Sequence, residues 1–72
     1  MFSMNQTQYL SQLRRQLIDA YDEVSLQALC LRLGVNYNDL SGNNRSDKAR
    51  ELVLYLHRRR RLSDLEQELN GL

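Results

Sequence analysis

Proline is absent from this 72-residue chain, glycine occurs three times, and there is one cysteine and one histidine. Without proline, and with so little glycine, few positions interrupt a helix, so each helix runs until a specific stop signal ends it. The lone Cys30 excludes an internal disulfide and points to a reducing compartment. Cys30 and His57 together fall short of the four-ligand set of a structural zinc site. The chain also lacks a glycine-rich phosphate loop, a paired-carboxylate site and any apolar run near the roughly 20 residues that cross a membrane. Its N-terminus has no basic segment followed by an apolar stretch, the mark of a secretory signal. A cytoplasmic protein without membrane contact, cofactor or metal is expected.

What is present suits a small globular domain. Hydrophobic residues make up 42% and charged residues 26%, ordinary values for a folded chain in water. A domain of this length buries only about 60% of its unfolded surface, so its stability is expected to be modest. Residues 1–72 read as one domain, which can equally be a piece of a longer polypeptide. The formal net charge of +1 argues against a generic polyanion binder.

Helical periodicity runs through nearly the whole chain. Leu10, Leu13, Leu17 and Tyr21 repeat at three- and four-residue steps, after a start near Asn5 or Thr7. Asp22-Glu23-Val24-Ser25 interrupts that stripe, and Ser25 is the expected cap of a second helix. Leu26, Leu29, Cys30 and Leu33 form its buried face, and Gly34 stops it. Val35 packs back, Asn36 to Leu40 make at most about one and a half turns, and 41–45 is a loop by composition. Ser46 is the expected cap of the next helix, which buries Ala49, Leu52, Val53 and Leu56 and ends in Arg58, Arg59, Arg60 and Arg61. Asp47 in its first turn and the arginines at its end suit the helix dipole. Ser63-Asp64-Leu65-Glu66 reads as a capping box opening a last helix, with Leu65 and Leu69 inward and Gly71 at its end. The expected fold is all-α, a small antiparallel bundle of five to six helices.

Catalysis finds little to work with. Cys30 sits between Leu29 and Leu31 in an apolar stripe and reads as a small buried hydrophobe, since a reactive thiolate needs an exposed, low-pKa setting. His57 opens the basic run and reads as a surface residue. No catalytic, cofactor or metal site is assigned, and the chain is not expected to be an enzyme.

The charge pattern is more informative. Asp19, Asp22 and Glu23 cluster around the junction of the first two helices, with no basic residue between Gln16 and Leu31. Asp39 extends that acidic face, and Arg58, Arg59, Arg60 and Arg61 make a basic one. Opposite patches on one molecule permit head-to-tail association, as an oligomer or a filament. A helix-turn-helix regulator of DNA is the alternative, because Leu29 to Val35 resembles the first helix and turn of such motifs. The following Tyr37-Asn38-Asp39-Leu40-Ser41 contains an acid, has no Lys or Arg, and is broken by Gly42. It makes a poor recognition helix, so no specific nucleic-acid binding is expected.

The same residues carry a family pattern. Tyr21-Asp22-Glu23, Leu26, Leu29-Cys30, Leu33-Gly34-Val35, Tyr37, Asp39-Leu40 and Gly42 resemble the effector-associated, death-like domains of bacterial conflict and immunity proteins. So do Lys48 to Val53, Tyr55-Leu56, Arg58-Arg59, Arg61-Leu62 and Asp64-Leu65. The resemblance covers roughly residues 10 to 69. The helix holding Ala49-Arg50-Glu51-Leu52 also resembles, more faintly, animal death-effector domains. Departures are Ser41 and Ser63 where the family pattern has Pro, and Arg60 where it often has Gly. Arg60 is expected to carry the helix slightly further. Arg61 stands where death-effector domains place an acid, so their charge triad does not transfer. The resemblance implies a death-fold-like bundle that binds copies of itself or sister domains on effectors or signalling ATPases, in antiphage defence or programmed cell death.

Overall fold

Asp22 and Asn44, rather than the serines beside them, start the two central helices. The computed structural model describes residues 6–71, which leaves the candidate start at Asn5 outside the described residues. Four α-helices follow one another: α1 (Gln6–Ala20), α2 (Glu23–Leu33), α3 (Arg45–Arg58) and α4 (Leu62–Asn70). A single 3-10 turn, Tyr37–Asp39, lies between α2 and α3, and no strand occurs among the described residues. Among the described residues the expected five to six helices are therefore four helices and one turn. Three residues cannot make a fifth helix: the turn closes on two hydrogen bonds, from the Asp39 N–H to the Asn36 carbonyl and from the Leu40 N–H to the Tyr37 carbonyl, and goes no further.

Caps explain the helix starts. Asp22 Oδ1 accepts from the Ser25 N–H at 2.8 Å, so Ser25 is the third residue of α2 and not its cap. Asn44 Oδ1 accepts from the Asp47 N–H in the same way, at 2.8 Å. Ser46, the expected cap, instead receives a hydrogen bond from Arg14 Nη2, which ties α1 to α3. In both cases the side chain three residues before a free N–H reaches it and satisfies an orphan donor. The Ser63 capping box does not form: α4 already begins at Leu62, with no side-chain cap.

The stops of α2 and α3 share one geometry. Gly34 takes a left-handed backbone at φ 73, and the Val35 N–H reaches back to the Cys30 carbonyl at 2.8 Å. At the end of α3 Arg60 plays the part of Gly34: its φ is 59, and the Arg61 N–H reaches the Leu56 carbonyl at 2.8 Å. Arg60 thus ends α3 instead of extending it. The paired back-bonds satisfy carbonyls that the helix end leaves open, and they hold a non-glycine residue in a conformation it disfavours.

The α3 helix is the hub. It packs chiefly on α1 and also touches α2 and α4, while α2 reaches α4 and the 3-10 turn. Leu17, Leu26, Leu29, Leu52, Leu56 and Leu65 are fully buried between these elements. Burying one such side chain stabilises the fold by about 1.5–3 kcal/mol. One core expectation shifts: Leu10 packs against the core but stays partly exposed, while Tyr21, the last residue of the same stripe, is buried. Lys48 fastens the turn by donating to the Tyr37 and Leu40 carbonyls while its Nζ lies 5.0 Å from the Tyr37 ring centre. Tyr9 bonds Glu66 and joins α1 to α4.

Candidate interaction surface

Two contacts orient the charged ends. Arg45, at the start of α3, donates to the Tyr21 carbonyl at 2.8 Å, beside the start of α2. Arg61, just past the end of α3, donates to the Leu33 carbonyl at 2.7 Å, at the end of α2. Both helices therefore lead from the acidic junction towards the arginine run. The 14 residues of α3 separate the ends by about 20 Å.

At the first end, Asp22 and Glu23 are exposed, the one as cap and the other as first residue of α2. The Ser25 N–H holds the Asp22 carboxyl below the usual carboxylate range, helped by the Ser25 hydroxyl and by nearby Arg45. A base thus stands against the acidic cluster. It comes from 23 residues along the chain, so the stretch between Gln16 and Leu31 gave no sign of it. Asp19 is exposed in the last turn of α1, alongside Leu69 and Asn70 of α4. Asp39 is exposed at the end of the 3-10 turn. Among the described residues no ion pair involves any of these four acids.

At the other end the four arginines divide. Arg58, Arg59 and Arg60 are exposed, and the Arg59 guanidinium lies 4.3 Å from the Tyr55 ring centre. Stacking of that kind holds the charge in a fixed place while leaving it accessible. Arg61 is turned inward. Its Nε donates to Asp64 Oδ2 at 2.9 Å and its Nη2 to Leu33, so it joins three elements.

Val24 and Leu31 are surface features that composition and stripe reading passed over. They are 75% and 79% exposed, and stand seven residues apart on the side of α2 facing away from the core. The signal was in the periodicity, because neither falls in register with Leu26, Leu29, Cys30 and Leu33. Cys30 is fully buried, and burial pushes its thiol up to about 11, against a smaller opposing pull from Lys48. At neutral pH such a thiol stays protonated and unreactive. His57 is half-buried on α3.

With this arrangement in place, a family comparison is decisive: the model for effector-associated domain 7 matches residues 13–72. The chain belongs to that family. The match takes in most of α1 and everything after it, including both left-handed helix stops and the arginine run. No curated protein and no solved structure matches the chain. In this effector-associated domain the Leu33-Gly34-Val35 segment is the physical stop of α2. Gly42 is more tightly constrained than Gly34, since its φ is 104 and an added Cβ would lie 2.3 Å from Asp47 Cβ.

Proposed function

We propose that this effector-associated domain is a non-enzymatic, death-fold-like adaptor that binds copies of itself or sister domains. Through that binding it recruits or oligomerises effector proteins in bacterial immunity or programmed cell death. The partners are sister death-like domains on effectors or signalling ATPases, and the setting is the cytoplasm. No helix among the described residues is long and apolar enough to cross a membrane.

The observation that carries this reading is the separation of exposed charge along α2 and α3. Asp22 and Glu23 lie at one end, with Arg58, Arg59 and Arg60 at the other. The acidic end of one copy meets the basic end of the next, with Asp19 and Asp39 adding to the acidic side. A single exposed ion pair contributes only about 0–1 kcal/mol, so several must act together. Arg61 supports the basic turn from within and is not itself the contact. The DNA-binding alternative draws no comparable support, because the Tyr37–Asp39 turn is too short for a recognition helix.

Sedimentation or light scattering at rising salt tests the reading. Association that weakens steadily with salt is expected, because exposed charges are screened. A chain that stays monomeric at high concentration and low salt contradicts self-association.

A further inference from the structure

We infer that the Val24–Leu31 ridge of α2 is a second contact surface, and that its occupant is the same ridge of a second copy, related by a two-fold axis. This contact lies beside the charged one, shares Glu23 with it and makes no use of the arginine end. The ridge and the shallow groove beside it share Leu31, and the groove is lined by Gln27, Gly34, Asn36, Tyr37 and Asn38 among others. No charged side chain lines that groove, so nothing there repels an identical surface.

The geometry favours an antiparallel pairing. A two-fold axis perpendicular to α2, passing between Gln27 and Ala28, sets Val24 of one copy against Leu31 of the other. An isologous contact of this kind uses one patch twice and closes on itself. It also brings the same flank of each helix together. Glu23 and Gln27 stand four residues apart on α2 and so share the flank that holds the groove. Glu23 of one copy then approaches Asn36 of the other. Asn36 Oδ1 is already taken by the Asn38 N–H at 3.0 Å, which leaves the amide NH₂ to donate to a carboxylate. Opposed helix dipoles add to the fit.

The area sets the strength. Two exposed apolar side chains and their rim fall well short of the roughly 800 Å² per partner of a stable complex. The contact is therefore weak alone and gains effect where copies are already held together, by effective concentration. Charged head-to-tail contacts would form a row, and two-fold contacts would join one row to another.

Disulfide trapping tests this on the whole chain, with Cys30 kept because it is buried. Gln27→Cys places a thiol beside the axis and Ser11→Cys places one on exposed α1 as control, with circular dichroism to check that both fold. Gln27→Cys should form cross-linked dimer at least tenfold faster than the control. Adding Leu31→Ser should return it to the control rate, and high salt or Arg59→Glu should leave it fast. Cross-linking at the control rate, or fast cross-linking indifferent to Leu31→Ser, overturns the two-fold contact. So does loss of cross-linking with Arg59→Glu, which would make this surface part of the charged one. If wild-type association proves insensitive to salt while Gln27→Cys still cross-links, the charged contact fails and the two-fold contact stands.

Discussion

Arg61 Nη2 donates to the Leu33 carbonyl at 2.7 Å, which fastens the end of α2 to the turn between α3 and α4. Arg58, three residues earlier, makes no ion pair among the described residues and is exposed. Two members of one arginine run thus have different work. Arg61→Met should lower stability by about 1.5–3 kcal/mol, the scale of hydrogen bonds made by a charged group. Arg58→Ala should change it by less than about 0.5 kcal/mol. Urea denaturation of both variants checks the contrast.

Arg60 sits at φ 59, where the resemblance leads one to look for glycine. A left-handed backbone costs a residue with a Cβ roughly 1–2 kcal/mol, and glycine returns part of that through a freer unfolded chain. Arg60→Gly should therefore stabilise by about 0.5–1 kcal/mol. It removes one exposed cation as well, so association at low salt should weaken while the thermal midpoint rises. Calorimetry and scattering on one sample read both effects.

Much of the fold was legible before the structure, and the exceptions share a cause. The buried faces of α2 and α3 follow from Leu26, Leu29, Cys30 and Leu33, and from Ala49, Leu52, Val53 and Leu56, since period alone identifies a face. Caps were less readable. Asp22 and Ser25 both suit the role, and only the three-dimensional reach of a carboxylate to the Ser25 N–H selects between them. Contacts between distant segments were not readable at all: Arg45 on Tyr21, Arg61 on Leu33 and Tyr9 on Glu66 each join residues separated by more than 20 positions. The surface divided likewise. Charge order along the chain located the acidic and basic ends, but not that Arg61 turns inward or that Val24 and Leu31 stand clear of the core.

The glycines should rank by space as well as by backbone. An added Cβ at Gly42 meets Asp47 Cβ at 2.3 Å, whereas at Gly34 nothing lies within 4 Å. Both have positive φ, so both alanine variants are strained. Gly42→Ala should cost clearly more than about 1 kcal/mol, because the loop that delivers the Asn44 cap must also move. Gly34→Ala should cost less. Chemical denaturation gives the order, and equal losses would show that the Asp47 side of the loop yields freely.

Leu52 is fully buried on the hub helix. Leu52→Ala should cost about 2–5 kcal/mol through lost transfer energy and the cavity left behind. For a domain this small that approaches its whole stability. An unchanged thermal midpoint would contradict the packing of α3 at the centre.

The central claim is that the acidic start of α2 on one copy meets the arginine end of α3 on the next. Mixing Glu23→Arg with Arg59→Glu tests it most directly by analytical ultracentrifugation at low salt. Each variant alone should be folded and should not extend beyond the monomer through this contact. In the wild type the charged contact can repeat from copy to copy. The mixture holds two matched pairs, the arginine now at position 23 against the glutamate now at position 59 and the native Glu23 against the native Arg59, and should therefore regain association in which the two variants alternate. Undiminished association of both single variants would contradict the account, as would a mixture no more associated than its components.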